Sequence, residues 1–315
     1  MNFSPHPDPA YAAMQHWPQQ WSDLETRLAA LLLAPQAQPR FIDELQRLHR
    51  EARVLLDMDS DSTLYWLFQL AASTTVAYSA SHAMVCWALC QLVGEDLGLM
   101  SAERESLAQA ALTMNLSMTR LQDTLAEQTT PPTPEQREQI NTHAAHSAQW
   151  LRELGVTDPL WLDTIEQHHQ TDAALPLPVR ILQAMDRYAA MISPRETRPG
   201  RCVTDSARHT VVKAGQTLDE VGHALLRTVG ICPPGTFVRL ADDRIAVVLR
   251  RSGRPGEPWV ATVLDAHGTP VVEPELIDTG HDGQGIEAAL ISRTVRVRLN
   301  HARLLQLSRM ALAQG

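Results

Sequence analysis

Trp161-Leu162-Asp163-Thr164-Ile165-Glu166-Gln167-His168-His169 is a helical stretch that closes on two adjacent imidazoles. His82, His143 and Asp186 lie far from it in sequence, each in a segment whose apolar residues recur at helical period. Imidazoles and a carboxylate on separate helices are what a metal site inside a helical bundle needs. Adjacent helical residues point about 100° apart, so His168 and His169 would serve neighbouring metals, or one metal and a substrate. Asp186 falls in Arg180-Ile181-Leu182-Gln183-Ala184-Met185-Asp186-Arg187-Tyr188, otherwise apolar on the face that carries the aspartate. A carboxylate there is costly unless paired or bound to a cation. His146, His209, His267, His281 and His301 read as surface or hydrogen-bonded residues. The frame also has a gap: where a further ligand-bearing helix would present donors, the chain reads Ala111-Leu112-Thr113-Met114-Asn115-Leu116-Ser117-Met118.

At 315 residues, 44% hydrophobic and 20% charged, the chain can bury a sizeable core as an ordinary globular protein. A formal charge of -9 and a pI near 5.8 argue against a broad nucleic-acid-binding face, which needs a basic stripe. One small anionic ligand held by a few arginines remains compatible with that charge. The four cysteines form no CxxC pair and no signal peptide is evident, so a reducing cytoplasm is the expected setting. Cys86 and Cys90 lie one helical turn apart in an apolar run; metal ligation is open to them, but core packing is the simpler reading. That run, Ala83 to Val93, is broken by Gln91 and too short to span a bilayer.

The first fifteen residues are proline-rich and read as disordered. Two amphipathic helices are predicted over Gln19–Leu33 and Pro39–Leu56, and the acidic link Asp57–Asp61 offers N-caps to the next. From Leu64 to about Val229 the pattern is almost wholly helical, broken by a loop at Thr129–Thr133 before a helix over Pro134–Leu154. After Cys232-Pro233-Pro234-Gly235 it changes: Thr236–Leu240, Arg244–Arg251, Trp259–Leu264 and Thr294–Leu299 read as strands, with a helix from about His301. The expectation is a mainly α chain in three parts: an N-terminal helical segment (1–60), a helical domain (61–230) and a small antiparallel β appendage (231–315). Trp66, Trp87, Trp150 and Trp161 sit at helical positions and read as packing residues.

The stretch from Leu64 to Leu240 resembles the HD-GYP family, a branch of the HD-domain metal-dependent phosphohydrolases. Active members hydrolyse the bacterial second messenger cyclic di-GMP on a site of two or three metals. His82 stands at the family's first His; Met114, 32 residues on, at its His-Asp pair; and His143, 29 further, at the next His. His168-His169 and Met185-Asp186-Arg187-Tyr188-Ala189-Ala190-Met191 follow as the family's tandem histidines and aspartate helix, and Ser193 to Arg198 match its serine- and arginine-containing segment. The resemblance implies an HD-domain-like bundle, metal ligation by His82, His143, His168, His169 and Asp186, and phosphate contact by Arg195 and Arg198. It also implies a cyclic dinucleotide or other phosphorylated small molecule as ligand and a signalling protein as partner, while the short apolar run above gives no expectation of membrane insertion.

The departures are as specific as the match. Met114 and Asn115 replace the His-Asp pair, whose aspartate bridges the metals in active relatives, and Met118 stands where a lysine is expected. Asn115 offers only a neutral carbonyl and Met114 a soft thioether, which suits neither Fe, Mn nor Mg. Only 17 residues separate His169 from Asp186, too few for the family's Gly-Tyr-Pro loop. By resemblance, one metal keeps His82 and Asp186, and the other keeps His143, His168 and His169. The three-imidazole set suits one divalent transition metal (Fe, Mn, Zn or Ni); the alternative is no metal at all. Two functional readings follow: a catalytically impaired signalling module that binds a ligand or partner, or a phosphohydrolase with a rearranged, mononuclear site.

Overall fold

The computed structural model describes residues 17–73, 77–171, 174–193, 220–281 and 284–313. Helices α1 (Trp17–Leu33) and α2 (Phe41–Met58) open the described chain, as their apolar spacing predicts. They lead into α3 (Ser60–Ser73), α4 (Tyr78–Asp96), α5 (Ser101–Thr113), a 3-10 turn at Leu116–Met118 and α6 (Thr119–Glu127). Helices α7 (Pro134–Glu153), α8 (Pro159–Gln167), α9 (Leu177–Ile192) and α10 (Glu220–Val229) complete the bundle. The predicted N-terminal disorder, the arginines Arg195 and Arg198, and His209 lie outside the described residues.

Helix α4 organises the bundle. It is buried on all sides from Tyr78 to Gln91, and α1, α3, α5, α6, α9 and α10 pack around it. A helix without a polar face is stable only when its circumference is covered. The helices that will carry histidines are pinned at their starts by local chemistry. Thr133 and Gln136 form a reciprocal capping box on α7, with Gln136 N donating to Thr133 Oγ1 at 3.3 Å and Thr133 N to Gln136 Oε1 at 2.9 Å. Asp158 caps α8 by accepting from Leu160 N at 2.9 Å, and its other oxygen accepts from Ser106 Oγ of α5 at 2.6 Å.

The C-terminal part is a five-stranded antiparallel sheet in the order β4-β3-β2-β1-β5, followed by helix α11 (His301–Leu312). The strands are β1 (Phe237–Leu240), β2 (Ile245–Arg250), β3 (Trp259–Leu264), β4 (Leu276–Asp278) and β5 (Ile286–Leu290). Three of them fall where alternation predicts. The fourth expectation fails: Thr294 ends a 3-10 turn (Ser292–Thr294), the residues from Val295 to Leu299 lie outside the sheet, and their alternating Val295, Val297 and Leu299 pack on the main core without a ladder. Strands β4 and β5 went unpredicted because one is three residues long and the other, Ile-Glu-Ala-Ala-Leu, is built of helix formers. Val247 and Leu249 of β2 join the helical core, while Ala246 and Val248 form a second cluster with Val238, Val260 and Ile277. Gly235, at φ +91°, brings the start of the sheet against α3, where an added Cβ would stand 3.0 Å from the Tyr65 carbonyl oxygen. Among the described residues, no helix is long and apolar enough to cross a membrane.

A buried ion pair ties these layers together. Arg250 at the end of β2 donates to both oxygens of Asp59, at 2.8 and 2.9 Å, and to Ser308 Oγ of α11 at 3.2 Å. Asp59 in turn caps α3 through Ser62 N at 3.1 Å. Burial alone would raise the Asp59 carboxyl, but the Arg250 guanidinium outweighs it and holds the group below the ordinary carboxylate range. Removing one partner leaves an uncompensated buried charge. Arg250→Met is therefore expected to cost about 3–5 kcal/mol in urea unfolding; a loss below about 1 kcal/mol would show that this network does not hold the sheet to the helices.

Candidate metal centre

The five residues singled out for metal ligation gather into two groups. His143 on α7 meets His168 and His169, which follow the last residue of α8, and their donor atoms lie within 4.8 Å of one another. His82 on α4 meets Asp186 on α9, with Cys86 as a third member. Cys86 is the addition: at i+4 from His82 it shares that helix face, a spacing legible in the sequence but overshadowed by the apolar run around it.

Two imidazoles of the first group have their tautomers fixed by backbone. His143 Nδ1 donates to Ile140 O at 2.6 Å, and His168 Nδ1 donates to Ile165 O at 2.5 Å. A carbonyl can only accept, so in both neutral rings the proton sits on Nδ1 and Nε2 is a bare lone pair. Those two Nε2 atoms face each other at 3.3 Å, and His169 Nε2 stands 3.3 Å from His143 Nε2. The 143–168 contact has hydrogen-bond length but no proton to share. Nor is either ring readily protonated: burial lowers His143, and burial with the neighbouring His169 pushes His168 down to about 3.

Two lone pairs held face to face are the preparation for a cation. Tetrahedral ligation with nitrogen–metal distances of about 2.0–2.1 Å separates the ligand atoms by roughly 3.3–3.4 Å, the spacing observed here. Metal-binding histidines commonly donate the other ring N–H to a carbonyl or carboxylate, as His143 and His168 do. His169 is exposed, so the group opens to solvent on that side.

The second group does not fit a cation as well. His82 Nε2 is committed to Asp186 Oδ1 at 2.9 Å, and its ring stacks on Tyr78 at 5.7 Å. Its Nδ1 is buried and no partner is found for it among the described residues. Freeing Nε2 for a metal would move the proton to Nδ1, where it would be unsatisfied. Cys86 Sγ lies 3.6 Å from His82 Nε2 and 3.9 Å from the Met185 carbonyl, and burial, with Asp186 nearby, raises its pKa well above the ordinary thiol value. It stands here as a thiol, not a thiolate ligand. Burial pushes Asp186 up, but its bond to His82 and the nearby imidazoles hold it below the usual carboxylate range.

Met114 is 1% exposed and closes α5, which packs against the helix carrying His82. Met118 is buried too, whereas Asn115 is half-buried. This segment reaches the first group through Ser117: its Oγ donates to the His143 carbonyl at 2.9 Å, and its N–H donates to Ser147 Oγ at 3.0 Å. Sequence reasoning missed both serines, since nothing in their spacing distinguishes them.

No family model matches the chain. Over 223 residues it is 23% identical to cyclic di-GMP phosphodiesterase PA4108 of Pseudomonas aeruginosa, a match covering 67% of this chain and 54% of that protein. That similarity supports the resemblance to the HD-GYP family. The chain thus spans about half the length of this relative. A solved structure, Bd1817, a HDG"Y"P protein from Bdellovibrio bacteriovorus, gives a TM-score of 0.48 at 12% identity, covering 71% of this chain and 73% of that one, a likeness too weak to add to the fold. The two groups above are this chain's candidate metal ligands.

Acid should act on the first group. An unfolded His168 takes up its proton near pH 6.5, while the folded one resists until about pH 3. The folded state's advantage is therefore complete above pH 6.5 and is lost progressively as pH falls toward 3. The metal-free protein should lose about 2 kcal/mol from this residue by roughly pH 5, lowering Tm by about 3 °C. Calorimetry on the parent and on His168→Gln checks this, since the variant should lack that increment. Equal acid sensitivity of the two proteins would contradict the buried, neutral His168.

Proposed function

We propose that this chain is a catalytically impaired HD-GYP protein of bacterial cyclic-dinucleotide signalling that keeps one of the family's metal subsites and acts as a binding module. The observation that carries the reading is the contrast between the two groups. His143 and His168 present lone pairs fixed by backbone carbonyls, whereas His82 spends its Nε2 proton on Asp186. One divalent ion would be held by His143, His168 and His169. Three neutral imidazoles without a carboxylate favour zinc or nickel over the harder Mn or Mg.

Two-metal hydrolysis uses both cations, about 3.5–4 Å apart, to activate water and to stabilise phosphoryl charge. Asn115 cannot supply the bridging anion, Met114 is sealed in the core, and Met118 removes the nearby ammonium group. A single ion in the remaining set would supply Lewis acidity at a position open beside His169. That openness favours a second reading, a mononuclear phosphohydrolase acting on a nucleotide or another phosphorylated small molecule. Arg195 and Arg198 remain candidates for meeting the phosphate in either case.

Elemental analysis and turnover separate the readings. The purified protein is expected to carry one equivalent of a divalent transition metal, lost in His143→Ala. With added Mn²⁺ or Fe²⁺ it should hydrolyse cyclic di-GMP no faster than the His168→Ala/His169→Ala double variant. Robust turnover that this double change abolishes would establish an active phosphodiesterase and sink the impaired reading. Two metals per chain would restore the dinuclear site.

A further inference from the structure

We infer that Gln183 is a positioning residue for the three-imidazole group, fixing the His168–His169 turn at the spacing one cation needs. The inference rests on the metal reading above. Helix α8 ends at Gln167, so the carbonyls of its last turn lack helical partners. The two histidines follow at once, in a turn whose own backbone bonds are His168 N to Ile165 O at 3.4 Å and Gln170 N to Gln167 O at 2.9 Å. Gln183 reaches this turn from α9. Its Nε2 donates to Gln170 O at 2.7 Å and to Gln167 O at 3.4 Å. Both protons of one amide are thus spent on the residues that bracket His168 and His169.

The placement is specific. Gln183 is 6% exposed among Ile181, Leu182, Ala184 and Met185, all buried, where an apolar side chain would be the default. It lies three residues before Asp186 and therefore on the same helix face. One helix face thereby holds both halves of the centre, Asp186 engaging His82 and Gln183 holding the backbone of the tandem histidines. The backbone from Gln170 to the start of α9 at Leu177 is short, so the turn takes its position from α9 directly. Gln183 touches no ligand atom; it acts on the backbone that aims them. The sequence signal was present as the one uncharged polar residue in Arg180-Ile181-Leu182-Gln183-Ala184-Met185.

Metal titration of the full chain tests this, with Co²⁺ as the probe because its visible spectrum reports the ligand geometry. Gln183→Met keeps length and volume but removes both donors. It should weaken Co²⁺ binding roughly 10- to 100-fold, the range for residues that orient metal ligands, and should alter the Co²⁺ spectrum. The metal-free variant should still unfold cooperatively. Gln183→Asn keeps the amide one methylene short of the turn, and should resemble Met rather than the parent. Parent-like affinity and spectrum in both variants would overturn the role of Gln183 and leave the metal reading intact. Failure of the metal-free Met and Asn variants to fold would make Gln183 a general stability residue, which also overturns it. A parent protein that binds no Co²⁺ would sink the metal reading itself, and this inference with it.

Discussion

Because α4 is apolar on every face, it forces the bundle to close around it, and that closure reaches directly into the chemistry. His82 rides on this helix and is buried with it, at 2% exposure. A buried imidazole N–H without an acceptor costs about 1–3 kcal/mol, so the closed bundle must supply one. Asp186 on α9 does so, and its carboxylate, costly on an apolar face, is compensated by the same bond. The pair satisfies two buried polar groups at once. It needs no ion to do so, although His82 Nδ1 keeps no partner among the described residues.

The other half is incomplete by construction. Helices α7 and α8 aim His143 and His168 by tying each Nδ1 to a carbonyl of its own segment, three residues back in both cases. This local bond costs no long-range packing, yet it removes every neutral tautomer in which the two rings could hydrogen-bond to one another. Protonation is the competitor of any cation at such a site. Burial lowers the basicity of both rings, so near neutral pH that competition is weak. What remains is a pair of converging lone pairs, with His169 at the surface beside them, its Nε2 3.3 Å from that of His143 and able to donate to it in the Nε2–H tautomer.

Much of this was legible in the sequence. Helical period located the bundle, and the resemblance to the HD-GYP family implied the division of the ligands that the structure shows, His82 with Asp186 and His143 with His168 and His169. Cys86 packs in the core, as the apolar run around it predicts, and stands beside His82 as a thiol. The sheet was legible only where β-branched alternation coincided with hydrogen bonding: Thr294–Leu299 alternates because one side touches the core, and β5 pairs with β1 despite its helix formers. Tautomers could not be read at all. They depend on which carbonyl lies within reach of each ring, a property of the folded backbone and not of residue type.

On the impaired reading proposed above, Met114 would let a metal subsite be lost without losing the fold. In the bridging role an aspartate is compensated by cations; without them it would be a buried charge on a helix packed against α4, costing several kcal/mol or forcing protonation. A methionine at the neighbouring position fills the same region with apolar volume, and burying such a side chain contributes about 1.5–3 kcal/mol. Its flexible thioether also adapts to a cavity shaped for another residue. Asn115, half-buried, keeps only a neutral amide where a bridging anion would stand. On that reading the replacement exchanges metal-dependent stabilisation for packing that is always present. Stability and two-metal chemistry make opposite demands on this turn, and Met114 and Asn115 meet the demand for stability.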